Sequence, residues 1–338
     1  MPDCDFEYQI VTHYLYKFTQ YYTAFVSLLV IIIMYLRLWK QLYKSVFQKN
    51  LKFLFFSFFG MIFIFSVLQF VLAMYQAIKP YFITNYCDLI YSQLSYRYLH
   101  ILTLLSMSTT VFFPLVISFE RLIAMSNTAT YEYSKLLLGP ILMLLAVSFN
   151  TTILFIVYDG ETFSESTVTY TNIPSTSSTH MNMYYGFLLI VNLPNFAISL
   201  FIQKRNLYLK KRLQLDASLT RKYAVEEIIQ STKFTFGINM MHLTFFGCFL
   251  TFIFIFRSIR NGLFQDLVIQ QVVRGLMLLP IPTINLPIVI LCSYMLESFN
   301  RERSKKIAGS VKIKYTGAEG VKNHDDAIFQ IWNNYSKK

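Results

Sequence analysis

The chain has 338 residues, of which 55% are hydrophobic, 17% aromatic and 14% charged, with a formal net charge of +12. A soluble domain carries about 25% charged residues, so this composition excludes a water-facing globule. The 11 Gly, 9 Pro and 4 Cys exclude a collagen-like, disordered or disulfide-stapled chain. What remains is an all-α membrane protein, because a backbone in lipid must satisfy its own hydrogen bonds.

A helix crosses the bilayer core in about 20 apolar residues, and seven stretches qualify: 18–39, 53–78, 98–119, 136–158, 184–203, 234–256 and 269–296. The segment before the first holds Asp3, Asp5 and Glu7 with Lys17 its single base. It lacks the basic stretch of a cleavable signal peptide, so span 1 reads as a retained signal anchor. The expected organisation is an extracellular N-terminus at 1–17, a seven-helix bundle at 18–296 and a cytoplasmic tail at 297–338.

Seven spans put the termini on opposite sides, and Lys/Arg placement orients them. The N-terminal segment and loops 79–97, 159–183 and 257–268 carry 5 Lys/Arg; loops 40–52, 120–135 and 204–233 with the tail carry 23. With acids included, the two faces hold −3 and +13. The N-terminus is expected outside, and the basic excess becomes a lipid-facing property instead of a nucleic-acid signature.

Polar groups inside spans should face the bundle. In the outer half these are His100 and Thr103 on span 3, Asn192 on span 5, and Gln270, Gln271 and Arg274 on span 7. Gln270 and Arg274, four apart, share a helical face, and Arg274 lies about one and a half turns into its span. Arg274 has two readings: it snorkels to the headgroups, or it meets an anionic or strongly accepting ligand. His100 likewise either satisfies a local hydrogen bond or touches a ligand. The candidate ligand set is His100, Asn192, Gln270 and Arg274, with Tyr98, Tyr184, Tyr185, Phe246, Phe249 and Phe252 as possible aromatic walls.

Deeper, Asn150, Thr151, Thr152, Asn239, His242 and Asn285 read as sites of hydrogen bonding between helices. Pro194, Pro280, Pro282 and Pro287 permit kinks in spans 5 and 7. Cys248 and Cys292 fall within spans as packing residues, whereas Cys4 and Cys87 are candidates for an outer disulfide. Loop 159–183 has no Cys, so the usual rhodopsin-type bridge to it is impossible. Asn150-Thr151-Thr152 fits the glycosylation triplet but lies inside span 4, and Asn334-Tyr335-Ser336 lies on the expected cytoplasmic side, so no modification is expected at either.

Carboxylates are absent from these seven stretches, inverted repeats of broken helices are missing, and no Gly-rich filter is present. This pattern opposes the alternative of a coupled transporter or ion channel. The five His residues, 13, 100, 180, 242 and 324, are scattered. No metal, cofactor or catalytic set is expected.

At the inner end of span 3, Ser118-Phe119-Glu120-Arg121 resembles the acidic-Arg pair of G-protein-coupled receptors. Phe47-Gln48-Lys49-Asn50-Leu51 follows span 1, Glu120-Arg121-Leu122-Ile123-Ala124 closes span 3, and Leu219 to Ile228 precedes span 6 with Arg221, Lys222, Tyr223, Glu226 and Glu227. This set resembles the nematode serpentine chemoreceptors of the Sra superfamily, most closely the Sre class. Gln48 stands where that pattern has His, Lys222 is inserted, Ala224 replaces Gln and Glu227 replaces Asn. The resemblance implies a plasma-membrane chemosensory receptor, in a sensory cilium or dendrite, whose partners are a small-molecule cue and a heterotrimeric G protein. Glu120, Arg121, Arg221, Tyr223 and Glu226 would serve switching and coupling. On the residues alone, loop 204–233 either meets such a partner or lies as a basic helix on anionic lipid.

Overall fold

The computed structural model describes residues 4–126, 137–163, 168–170, 173–174, 176–213, 219–263, 266–310 and 325. All regular structure among them is helical: α1 Cys4–Thr12, α2 Tyr14–Ile33, α3 Trp39–Lys44, α4 Lys49–Ile78, α5 Gln93–Ser126, α6 Leu138–Val157, α7 Ser178–Leu213, α8 Leu219–Leu263, α9 Leu267–Met277 and α10 Pro280–Ser310. Seven spans among the described residues are long and apolar enough to cross a membrane. Span 1 joins α2 to α3 through a π-helical stretch, Met34–Leu38, and span 7 joins α9 to α10.

Each span contains its expected apolar stretch, except that described helix starts at Leu138 in span 4 and ends at Val157. Most helices run further, because polar ends extend them beyond the hydrocarbon. Segment 1–17, expected as a separate outer piece, folds from Cys4 as α1 and the first turn of α2. The two helices are separated at His13, whose Nδ1 accepts from Leu15 N at 3.3 Å. Cys4 and Cys87 form a disulfide with a Cα–Cα distance of 4.9 Å, and Tyr8 stacks on Tyr86 with centroids 4.0 Å apart. α1 thereby lies against the turn Tyr86–Leu89 and packs through Ile10 and Val11 with Val272 of α9.

Prolines act as their position dictates. Pro194 and Pro287 lie within α7 and α10, whereas Pro280 opens α10, where its missing N–H leaves no extra orphan. Span 7 therefore breaks at Leu278–Leu279 instead of only kinking.

The bundle is tied inside by small polar groups. Asn150 of α6 is fully buried and donates from Nδ2 to Ser108 Oγ at 2.9 Å and Thr109 Oγ1 at 2.8 Å on α5; Tyr184 of α7 donates its hydroxyl to Asn150 Oδ1. Gly139 N donates to Asn50 Oδ1 at 3.2 Å, bringing α6 against α4. Large apolar side chains such as Phe25, Leu144, Phe155 and Ile190 remain exposed, as lipid-facing residues must.

The chain divides into two compact units, Met1–Leu296 and Glu297–Lys338. The described part of the second includes an exposed ion pair, Arg301 Nη2 to Glu297 Oε1 at 3.0 Å. Residues 127–136 and most of the tail beyond Ser310 lie outside the described residues, and with them Asn334.

Candidate functional site: a roofed cavity and a buried arginine latch

At the end of the bundle that carries α1, spans 1, 2, 3 and 7 surround a cavity of about 1290 Å³, its open mouth included. Its roof comes from the segment after span 4, through Val168, Thr169, Tyr170 and Ile173. Bundle side chains hold that roof by its backbone. His100 pairs Nδ1 with Tyr170 O at 2.8 Å and Nε2 with the Tyr158 hydroxyl at 2.6 Å. Gln76 donates to Val168 O at 3.2 Å, and Arg274 Nη2 donates to Ile173 O at 3.0 Å. The Tyr170 hydroxyl in turn donates to Gln69 Oε1 at 2.8 Å. Burial pushes the Tyr170 phenol well above its ordinary range, so it stays a neutral donor.

The turn leading into the roof is fastened at its carboxylate. Glu161 accepts from Ser177 Oγ at 2.6 Å, from the Thr176 hydroxyl and from Phe163 N at 3.0 Å. Phe163 is buried with φ 53°, a left-handed conformation that only firm surroundings maintain in a non-glycine residue. Partial burial raises the Glu161 pKa, but the hydroxyls of Ser177 and Thr176, then the N–H groups of Phe163 and Thr162, outweigh it and hold the carboxyl below its usual range.

Two of the four expected ligand contacts, His100 and Arg274, line the cavity. Asn192 is buried against its own helix, donating to Leu188 O at 2.7 Å, and borders none of the described cavities. Gln270 is half-buried off the cavity wall, and its neighbour Gln271 takes the wall position. Gln271 Oε1, Thr103 Oγ1 and the Tyr16 hydroxyl, all at the cavity wall, are buried with no hydrogen-bond partner among the described residues. Of the aromatic candidates, Tyr185 lines the cavity, whereas Tyr98 and Phe252 are exposed.

Sequence reasoning missed the contributions of α1 and spans 1 and 2, namely Glu7, Tyr16, Gln20, Gln69 and Gln76. A glutamine in an apolar span is an amide that needs a buried partner, a milder signal than an arginine, and Gln20, Gln69 and Gln76 carry it.

At the opposite end of the bundle Arg121 forms a latch. Its Nε and Nη2 donate to Glu120 Oε2 and Oε1 at 2.6 and 2.7 Å, Nη1 donates to Ser231 Oγ at 2.8 Å, and Nη2 reaches Gln48 Oε1 at 3.2 Å. Glu120, expected at the membrane boundary, lies inside α5 and is fully buried, with Arg121 at 1% exposure. The two-pronged pairing is what permits this burial, since a lone carboxylate there would be too costly. Gln48 holds the place of the expected His and supplies an acceptor that links the start of α4 to the latch.

Nearby, Asn239 of α8 donates to Ser118 Oγ at 3.0 Å and to Ser199 Oγ, joining spans 3, 5 and 6. Asn206 donates to Thr232 Oγ1 at 2.8 Å, a second link between spans 5 and 6. Glu226 is half-buried on α8. The side chains of Arg221 and Tyr223 lie outside the described residues. Among the described residues no cluster of three His, Cys, Asp or Glu could hold a metal ion.

Comparison with known proteins agrees with this architecture. The family described as "Serpentine type 7TM GPCR chemoreceptor Srb" matches residues 12–246. The chain is similar to three Caenorhabditis elegans proteins among others. It is 32% identical to serpentine receptor class beta-13 over 97% of this chain and 95% of that one. It is 34% identical to class beta-5, covering 99% and 97% of the two chains, and 33% identical to class beta-2, covering 99% and 96%. The class matched is beta, where the inner-loop motifs pointed to Sre; those motifs are short, whereas the match extends along most of the chain.

Proposed function

This chain belongs to the serpentine class-beta chemoreceptor family, a seven-span receptor family, and from that premise we propose that it binds a small-molecule cue in the roofed cavity and signals to a heterotrimeric G protein. The α1 end faces outside and the latch faces the cytoplasm, in accord with 23 Lys/Arg on that side against 5 on the other. The protein acts at the plasma membrane, in a sensory cilium or dendrite, as the family resemblance implies.

The observation that carries this reading is the course of α5. One continuous helix, with Pro114 between them, presents Thr103 to the cavity and Arg121 to the latch, about 27 Å apart along it at 1.5 Å per residue. A ligand that draws on Thr103, Gln271 or Arg274 shifts spans 3 and 7 relative to one another. Separation of spans 3 and 6 then breaks the Arg121–Ser231 bond and frees Arg121 and the inner end of α8 for a partner. Glu226, Arg221 and Tyr223 are the proposed coupling residues there. His100 holds the roof over the ligand, and Gln270 and Asn192 support spans 7 and 5 behind the wall.

The test is a screen of odorant and metabolite mixtures on cells expressing the chain with a promiscuous G protein. Active mixtures are then re-run on Arg274→Ala and Arg121→Gln at matched surface expression. Both variants should lose the response; unaltered dose-response curves would remove the cavity and the latch from the mechanism. Ligand-dependent flux through liposomes with no G-protein activation would instead favour a transporter.

A further inference from the structure

Four polar side chains at the wall of the roofed cavity keep hydrogen-bonding groups in reserve. Gln20 and Thr23, one turn apart on α2, Gln69 of α4 and Gln271 of α9 all border it. Several of their neighbours are engaged: Thr19 Oγ1 donates to Leu15 O at 2.8 Å, Gln76 donates to the roof at Val168 O, and Gln69 Oε1 accepts from Tyr170. Others, such as Thr103 Oγ1 and Gln271 Oε1, are sealed off. The Gln20 amide, the Thr23 hydroxyl and the Nε2 groups of Gln69 and Gln271 are neither engaged nor sealed among the described residues. Gln20, Thr23 and Gln69 are only 8%, 8% and 5% exposed, and the surface they keep faces the cavity they line.

An amide nitrogen carries two N–H donors. Three such nitrogens face this space, and the carbonyl of Gln20 is the amide acceptor left open beside them. The wall is therefore rich in donors, and groups held away from bulk water are stable only when paired. Size narrows the class further. The centre of a water molecule can occupy about 150 Å³ of the cavity, and a space of about 150 Å³ takes a six-membered ring. Glu7 and Arg274 at the wall are of opposite charge, so an ionic ligand would meet no net counter-charge.

We propose that the cavity selects a small neutral molecule, about the size of one six-membered ring, that presents two or more oxygen acceptors, and that Gln20, Gln69 and Gln271 read those oxygens. The ligand thus lies toward spans 1, 2 and 7, whereas the sequence pointed to His100 and Asn192 on spans 3 and 5. His100 and Arg274 give hydrogen bonds to the roof, at Tyr170 O and Ile173 O, and act as positioning residues.

This ligand class rests on the roofed cavity being the receptor's binding site. Cyclohexane, cyclohexanone and cyclohexane-1,4-dione are the probes, one ring carrying none, one or two carbonyl oxygens. Purified full-length protein in nanodiscs is dialysed to equilibrium against empty nanodiscs, which cancels partition into lipid. In wild type each carbonyl should tighten the Kd about fivefold. Gln20→Leu and Gln271→Leu keep the size and remove the amide. Each should lower the preference for the dione over cyclohexane about fivefold, with cyclohexane bound as before because the cavity is still formed. Cyclohexanecarboxylate should bind more weakly than the dione. Equal Kd values for the three rings in wild type, an unchanged preference in both variants, or tighter binding of the carboxylate overturns the proposal. Nucleotide exchange on a G protein, measured in the same samples, separates the two readings. Graded binding that depends on Gln20 and Gln271 without exchange leaves the acceptor site standing and counts against the receptor mechanism; exchange evoked by other cues, with no graded binding, overturns the acceptor site alone.

Discussion

Arg121 of span 3 and Ser231 of span 6 meet through a hydrogen bond of 2.8 Å in which both side chains are shut off from solvent. It is a direct bond between the arginine and the helix that must leave it for a partner to enter. A hydrogen bond to a charged group contributes about 1.5–3 kcal/mol. Ser231→Ala removes it while the bidentate pairing to Glu120 remains. Ligand-independent nucleotide exchange on a reconstituted G protein should rise about tenfold; a basal rate equal to wild type would show that the bond does not restrain the resting state.

The Cys4–Cys87 disulfide couples α1 to the turn before span 3. Cys4→Ser, Cys87→Ser and the double variant remove the same bond, so their effects should not add. Amide hydrogen exchange across Cys4–Thr12 should quicken to the same extent in all three. A reductant should bring wild type to that rate and leave the variants unmoved. Additive effects would mean that each cysteine acts through separate contacts.

Glu161 provides a pH dependence whose sign follows from its depressed pKa. A carboxyl that ionises more readily in the folded loop than in the free chain adds stability above the ordinary carboxylate pKa. That stability is lost as pH falls below it, through the folded-state value. The protection of the Phe163 amide, its exchange measured against a free peptide at the same pH, should therefore fall on acidification below the usual carboxylate range. In Glu161→Gln protection should be low throughout and show no such step. A step surviving in the variant would assign it to another group.

Gly139 marks a close approach of spans 2 and 4. A Cβ placed there would stand 2.7 Å from the Asn50 carbonyl oxygen, whereas one at Gly60 meets nothing within 4 Å. Backbone cannot yield as a flexible side chain does, so Gly139→Ala should destabilise the bundle by about 1–3 kcal/mol. Gly60→Ala should be neutral. Thermal midpoints of the two variants in one detergent decide this, and equal midpoints would contradict the tight contact.

What the amino-acid order determined by itself is the set of spans and their polar exceptions. Lipid solvation makes each apolar stretch an independent requirement, and none needs a partner to be recognised. Arg274 stood out as a cation inside a span, where burial is expensive, and Arg121 by the resemblance of its motif to the acidic-Arg pair of G-protein-coupled receptors. The partners of those groups were a different matter. That His100 would hold a roof carbonyl, that Gln271 and not Gln270 would take the cavity wall, and that Arg121 would reach Ser231 and Gln48 depend on helix rotation and contact between residues 70 to 110 positions apart. Helical periodicity placed Gln270 with Arg274, but packing of α9 on α1 and α2 chose the face. His242 shows the limit most plainly: its residue type promised a bond between helices, and only the assembled bundle buried its Nε2 with no hydrogen-bond partner among the described residues.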